Sequence, residues 1–170
     1  MCSVVADRSD CAVGSKNTTL GHMAELRFDQ VNIVLPDVAG AAGFLRSLGV
    51  RVPELGDGWA DWEPHHIGFP AVAEGFDADL DSPAYASHWG GLPADFAGVV
   101  VNLRTTDRAE VDSAFERARG LGAGVLRSPY DTFWGARYAV VRGPGPIVVG
   151  LMSPADPTAR GASPKVSDFA

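Results

Sequence analysis

An internal repeat constrains the fold of this 170-residue chain more strongly than any other feature of its sequence. Residues 30–37, QVNIVLPD, align with residues 100–107, VVNLRTTD, at an offset of 70, which places Asn32 on Asn102. Each copy begins with β-branched residues typical of a strand and then reaches an aspartate suited to capping a helix. The chain is therefore predicted to repeat one structural unit.

A helix is predicted after each of these strands. Asp37 and Asp107 are the predicted N-caps, and apolar residues recur at helical spacing after both of them. Both helices are predicted to stop at a glycine, Gly49 in the first copy and Gly122 in the second.

Further strands complete each copy. The segment DLDSP at 79–83 aligns with GLMSP at 150–154, so both copies are predicted to end on a strand. The two strands between helix and last strand are predicted at about 50–54 and 59–69 in the first copy, and at about 125–130 and 137–142 in the second. The result is an α+β fold of two tandem βαβββ modules. They span about 27–83 and 97–154.

Charge and composition exclude several classes of function. Fourteen Lys and Arg residues against twenty-one Asp and Glu residues give a net charge of −7, so we expect no nucleic acid partner. No apolar run approaches the roughly 18 residues of a membrane span, and no membrane association is expected. The only cysteines, Cys2 and Cys11, lie in a polar stretch, which excludes a disulfide framework and favours a reducing, cytoplasmic location.

Both ends of the chain lack periodic apolar residues. Residues 1–22 contain no continuous apolar segment of the kind found in secretory signals, and we predict a disordered extension or an expression remnant there. Residues 156–170 are also predicted to be disordered because of their polar, Ala- and Pro-containing composition. The folded domain is therefore expected within residues 23–155.

The modules resemble a known superfamily. The chain is similar to the glyoxalase, bleomycin-resistance and extradiol dioxygenase superfamily, also called vicinal oxygen chelate. The similarity lies in two modules of this length, in the first strand at 31–37, and in the closing segments FWGARYAVV (133–141) and GLMSP (150–154). The resemblance covers about residues 27–155. It implies curved sheets around a cavity that holds metal, substrate or drug, with partner strands supplied within the chain or by a second subunit. For a chain of this length it also implies a homodimer.

The resemblance also implies where a metal would bind. In catalytic members the ligands lie at the start of each module's first strand and on its last strand, which places them here at Gln30, Asp79, Val100 and Gly150. Valine and glycine side chains cannot coordinate a metal, whereas catalytic zinc ordinarily has three protein ligands. His65 and His66 would point to opposite faces of a strand, so they do not complete the set. We therefore predict no bound metal and no cofactor, which argues against, without excluding, enzymatic activity.

A set of polar and aromatic side chains remains for the cavity. Successive side chains of a strand point to opposite faces, and we take the implied ligand positions to face the cavity. Counting every second residue from those positions predicts that five polar side chains and one methionine point inward: Gln30, Asn32, Asp79, Asn102, Arg104 and Met152. Aromatic walls are predicted from Trp59, Trp62, Phe69, Trp134 and Tyr138. Each aromatic residue has core packing as an alternative, and the asparagines have bonding to the backbone as theirs.

These residues favour binding over catalysis. We expect a metal-independent protein that binds an aromatic or cationic natural product, as bleomycin-resistance-like members that sequester a drug for self-resistance do. The alternative is a divalent-metal-dependent lyase, isomerase or dioxygenase of the same superfamily. A third possibility is a structural or regulatory subunit with a vestigial cavity.

Overall fold

Seven strands form one curved, open sheet in the computed structural model of the chain, which describes residues 26–54, 65–70, 77–163 and 165. The strands are β1 (Arg27–Val34), β2 (His66–Pro70), β3 (Asp77–Asp81), β4 (Val99–Arg104), β5 (Gly124–Asp131), β6 (Arg137–Arg142) and β7 (Val148–Met152). Their order across the sheet is β2-β3-β1-β4-β7-β6-β5. The α+β class predicted from the sequence is confirmed.

The two repeat copies meet at the centre of the sheet. Strands β1 and β4 pair antiparallel with Val31 opposite Val101, so that aligned residues of the two copies face each other. Strand β3 lies parallel to β1, and β7 lies parallel to β4. The first and last strands of both modules therefore form the middle of one continuous sheet.

The α-helices are α1 (Val38–Ser47), α2 (Pro83–Ala86) and α3 (Arg108–Gly120). Helices α1 and α3 begin at the predicted caps. Side-chain oxygens of Asp37 and Asp107 accept hydrogen bonds from the amides three residues further on, at 2.8 and 2.9 Å. Gly49 and Gly122 follow these helices with φ of 89° and 87°, the left-handed conformation that glycine adopts without strain. Within the described ranges, no helix is both long and apolar enough to cross a bilayer.

The first module departs from the prediction after α1. Residues 50–54 form no strand, contrary to the expectation. Pro53 has no amide hydrogen to donate to a sheet, and the Arg46 guanidinium donates to the carbonyls of Val52, at 3.0 Å, and of Pro53. The backbone carbonyls that would accept hydrogen bonds from a neighbouring strand therefore accept them from the side chain of Arg46 in α1.

The remaining predicted strands are present wherever the structure describes them. Strand β2 covers the end of the predicted 59–69 segment, of which 59–64 lie outside the described residues. Strands β5 and β6 match the segments 125–130 and 137–142 of the second module.

The two faces of the sheet have different neighbours. Val31 and Ile33 of β1 pack with α1, and Leu103 of β4 packs with α3. Because Val31 and Val101 are directly paired, these residues and both helices lie on one face. The alternate residues point to the other face, where Val100 and Tyr138 belong to a separate apolar cluster that surrounds a cavity.

Part of the predicted disordered tail folds back on the loop between β5 and β6. A 3₁₀ helix spans Pro157–Ala159. The Asp156 amide donates to the Gly135 carbonyl at 3.1 Å, and the Gly161 amide donates to the Phe133 carbonyl at 2.9 Å. This corrects the expectation for residues 156–163, whereas residues 1–22 and 166–170 lie outside the described residues.

Candidate functional site

A cavity of about 270 Å³ opens on the face of the sheet opposite α1 and α3. Strands β1, β3 and β4 form its floor. Other walls come from β2, from β6 and β7, from the β5–β6 loop and from the helical segment that joins the modules. The described residues that line it are Gln30, Asn32, His66, Asp79, Tyr85, Trp89, Asn102, Arg104, Phe133, Trp134, Ala136, Tyr138, Met152, Ser153 and Ala155.

Amide side chains hold the Asp79 carboxylate at the floor of the cavity. The Gln30 Nε2 donates to Oδ2 of Asp79 at 2.7 Å, and the Asn32 Nδ2 donates to the same oxygen at 3.1 Å. Asn32 lies directly opposite Asp79 in the parallel β1–β3 pair, which brings the two side chains together. Within the described residues, the other carboxylate oxygen, Oδ1, makes no hydrogen bond.

The repeat brings its two asparagines into contact. The Asn102 Nδ2 donates to Oδ1 of Asn32, and the Tyr138 hydroxyl donates to Oδ1 of Asn102 at 2.6 Å. All three side chains are buried. A continuous network of polar groups therefore runs across the floor from Asp79 to Tyr138.

A second carboxylate lies behind Asp79 and binds a histidine. Asp81 is fully buried, and its Oδ2 accepts from the Asn32 Nδ2 at 2.6 Å. Its Oδ1 lies 2.6 Å from the Nδ1 of His66 on the adjacent strand β2. The two carboxylates thus share Asn32, and within the described residues Asp81 is the one of the two that forms a hydrogen bond with a histidine.

Burial and mutual repulsion change the protonation of this cluster. Burial, and after it the charge of Asp81, raise the pKa of Asp79 to about 7, although His66 offsets part of the rise. Burial lowers the pKa of His66, but the hydrogen bond and the charge of Asp81 outweigh it, so the pKa lies above its usual value. Asp79 is therefore a carboxyl group that gains or loses its proton near neutral pH.

Aromatic rings form the walls above the carboxylates. The Tyr85 ring stacks on His66 with centroids 4.8 Å apart, and the Trp134 ring contacts Tyr138 edge to face at 6.1 Å. Burial raises the pKa of both tyrosines well above the usual value, which keeps their hydroxyls neutral. The walls therefore offer flat, uncharged surfaces.

Arg104 carries the positive charge of the cavity. Its Nη2 lies 2.6 Å from Oδ1 of Asp29, and its side chain is half exposed while Asp29 is buried. Burial raises the pKa of Asp29, and the charge of Arg104 partly offsets that rise. The pair thus presents its cationic end to the cavity.

The structure places most of the predicted site residues around this one cavity. Eight of them line it: Gln30, Asn32, Asp79, Asn102, Arg104, Trp134, Tyr138 and Met152. Phe69 does not, because it points to the other face of β2 and packs beneath α1 with Val38 and Ala42. Trp59 and Trp62 lie outside the described residues.

Sequence reasoning missed His66 and Asp81. Asp81 is two residues after Asp79 on the same strand, so the alternation that selected Asp79 also selects it. In β2, His66 and Gly68 point to the cavity face and Phe69 points to the other face. The face of each residue can be predicted only if the first residue of the strand is known. Sequence alternation alone therefore does not place His66 in the cavity, since it does not fix where β2 begins.

The metal positions implied by the family do not fit a metal here. Val100 is buried in the apolar cluster, and a Cβ on Gly150 would overlap the Asn102 Oδ1 and the Tyr138 hydroxyl. Side chains already occupy the space into which a glutamate at residue 150 would extend.

Among the described residues, one other group could approach a cation. It consists of His66, Asp79 and Asp81, whose ligand atoms lie within 4.8 Å of one another. Hydrogen bonds to Asn32, Gln30 and each other satisfy much of that trio.

Fold and site together define an α+β protein of two repeated modules whose shared sheet lines a cavity of about 270 Å³. A family model described as "Glyoxalase/Bleomycin resistance protein/Dioxygenase superfamily" matches residues 27–151. The chain belongs to this superfamily, as the sequence resemblance predicts. A comparison with curated proteins finds no match.

Solved structures share the fold at low sequence identity. Methylmalonyl-CoA epimerase from Mycobacterium tuberculosis is 19% identical, with a TM-score of 0.52 over 81% of this chain and 93% of that chain. A protein described as NAD-dependent benzaldehyde dehydrogenase from Legionella pneumophila is 13% identical, with a TM-score of 0.51 over 73% of this chain and 96% of that chain. These similarities concern the fold alone.

Proposed function

We propose that the protein is a metal-independent binding protein that encloses an aromatic or cationic natural product, as drug-sequestering resistance proteins do. The observation that carries the proposal is one cavity with aromatic walls and a carboxylate floor, in which side chains fill the place of a metal ligand. Planar ligands stack on such walls, and the polar floor orients them. A volume of about 270 Å³ suits a compound of two or three rings or one end of a larger molecule.

We expect a planar aromatic compound to quench the tryptophan fluorescence and to bind with a micromolar dissociation constant, about −8 kcal/mol. Trp134→Ala removes a wall ring, which contributes roughly 0.5–1.5 kcal/mol beyond its buried area, so the affinity is expected to fall tenfold or more. Calorimetric titration with aromatic amines, peptide antibiotics and polycyclic quinones provides the measurement. Phe44→Ala is the matched control, because this ring is 63% exposed and does not line the cavity.

Two outcomes contradict the cavity assignment. One is the absence of saturable binding by any of these compounds. The other is an equal loss of affinity in Trp134→Ala and Phe44→Ala, since a remote ring cannot act through stacking.

The metal content of the purified protein tests the alternative, a metal-dependent enzyme. We expect far less than one zinc, nickel, manganese or iron ion per chain, because Val100 and Gly150 supply no ligand and the Asp79 carboxylate is held by amides. Elemental analysis after purification without chelator provides the measurement. Near one ion per chain, lost in Asp79→Ala, would replace the binding proposal with the enzyme.

A further inference from the structure

The charges around the cavity are compensated unequally. Among the described residues, the charged or titratable side chains that line it, apart from the neutral tyrosines, are His66, Asp79 and Arg104. His66 has Asp81 behind it at 2.6 Å, and Arg104 has Asp29 at 2.6 Å. Asp79 forms no ion pair within the described part of the chain, and its hydrogen-bond donors are neutral amides. When ionised, Asp79 therefore brings to the cavity a negative charge that no cationic side chain of the described residues contacts.

Asp79 lines the cavity, and its Oδ1 is the carboxylate oxygen to which a ligand could donate. Both amide donors bind Oδ2 and leave Oδ1 without a hydrogen bond within the described residues. A Cβ on residue 68 would lie only 3.0 Å from that Oδ1, so Gly68 is what keeps the space beside it clear. A carboxylate oxygen in such a site accepts a short, strong hydrogen bond from a protonated amine.

Aromatic rings flank the same position. Tyr85, stacked on His66, and Tyr138, in contact with Trp134, both line the cavity with Asp79. Ring faces attract cations, and this attraction increases where water is excluded. An aromatic wall beside a carboxylate that has no ion-pair partner among the described residues is therefore complementary to an aromatic ligand that carries a positive charge.

The position of Arg104 bears on how many positive charges a ligand in the cavity can carry. In the sheet register, Asp79 is level with Asn32 and Val100, and Arg104 is four residues further along β4. At about 3.3 Å per residue, the backbone of Arg104 is roughly 13 Å away along the strand direction. A second positive charge at the far end of a ligand would meet the guanidinium before it met Asp29, because Arg104 lines the cavity and is half exposed whereas Asp29 is buried and does not line it. Like charges repel.

We propose that the cavity selects aromatic monocations: one protonated amine donates to Oδ1 of Asp79, the rings lie against Trp134, and Arg104 excludes a second positive charge. This inference rests on the proposed binding function and names its ligand class.

Three naphthalene compounds that differ in charge test the proposal by calorimetry at pH 8. They are 2-(1-naphthyl)ethylamine, the neutral 2-(1-naphthyl)ethanol, and 1,5-bis(2-aminoethyl)naphthalene with two amines. Alkylamines are protonated at this pH. We expect the monoamine to bind at least tenfold more tightly than the alcohol and than the diamine.

Variants assign the selectivity to the two residues. Asp79→Asn is expected to abolish the preference for the amine over the alcohol. Asp95→Asn is the matched control, because Asp95 is 56% exposed and pairs with Arg142 away from the cavity, and it should keep the preference. The double variant Asp29→Asn/Arg104→Gln removes both members of the ion pair without leaving an unpaired charge, and the diamine should bind it tenfold more tightly than the wild type.

The outcomes separate this inference from the proposed function. Equal binding of amine and alcohol, or a preference that survives Asp79→Asn, overturns the monocation site while aromatic binding stands. A diamine that binds the wild type as tightly as the monoamine does overturns the role of Arg104. No binding of any of the three compounds overturns both proposals. If Asp79→Asn does not fold, the salt dependence in the wild type decides: only the amine's affinity should fall with ionic strength.

Discussion

Gly150→Ala is expected to lower the free energy of unfolding by about 2–4 kcal/mol, or about 5–12 °C in melting temperature. A Cβ at residue 150 would overlap the Asn102 Oδ1 and the Tyr138 hydroxyl, which are buried and bonded to each other at 2.6 Å. The methyl group either displaces these side chains or breaks their hydrogen bond, and both changes are destabilising. Thermal and urea denaturation provide the measurement.

Gly43→Ala is the matched control for this substitution. Gly43 lies inside α1 with nothing within 4 Å of a Cβ. Alanine there is expected to stabilise the protein by about 0.5–1 kcal/mol, because glycine is unfavourable within a helix. A loss of less than 1 kcal/mol in Gly150→Ala would show that Asn102 and Tyr138 yield easily, and the space could then accept a metal ligand after all.

Asp79→Asn is expected to raise the melting temperature by about 3–6 °C at pH 8, on the order of 1–2 kcal/mol, and to have no such effect at pH 4. The pKa of Asp79 is about 7 in the folded protein, raised by burial and by Asp81, against an ordinary value of 3.8. Between these two values the folded state binds more protons than the unfolded state. The free energy of unfolding therefore decreases as pH rises through this window, and the penalty is complete above it.

Asparagine cannot ionise, so the variant lacks this penalty. Its amide oxygen can still accept from Gln30 and Asn32 as the carboxylate does. Asp95→Asn, at an exposed position, controls for the loss of one negative charge. Melting curves from pH 4 to pH 8 provide the measurement, and a difference between variant and wild type that does not change with pH would contradict a raised pKa of Asp79.

The two carboxylates and the histidine also bear on the architecture of the site. Asp81 is fully buried and is bound by both Asn32 and His66, so it fixes these two side chains at the floor of the cavity. Asp79 lies in front of it, and one of its oxygens accepts no hydrogen bond from the residues that the structure describes. Two carboxylates on one strand therefore differ in what they contact: one is bound on both oxygens, and the other faces the cavity.

Local sequence signals were sufficient for the repeated parts of the fold. The aspartate caps and the glycine stops act through neighbouring backbone groups, so the starts and ends of α1 and α3 could be predicted from the chain alone. Period-two alternation, started from Gln30 and its repeat position, also separated the cavity face from the helix face in β1 and β4.

Other features depended on residues distant in sequence. No local signal shows that the Arg46 guanidinium takes the carbonyls that residues 50–54 would have used in a strand, since propensity does not describe competition for a backbone group. The sequence does not show where β2 starts, and a shift of one residue exchanges the two faces of a strand, so the prediction that Phe69 faces the cavity is wrong.

Residue identity and spacing were enough to predict the repeat, and with the closing segments they gave the resemblance to the superfamily. The metal positions that this resemblance implies include residues 100 and 150, whose valine and glycine cannot supply a side-chain ligand. The side chains that fill the space beside residue 150 come from other strands, so the fold was needed to identify them. Asn102 and Tyr138 are 36 residues apart and meet over Gly150 because β4, β7 and β6 are adjacent in the sheet. His66 and Asp81 meet through the β2–β3 register in the same way. Contacts of this kind follow from strand order and register, which long-range packing sets and local patterns do not encode.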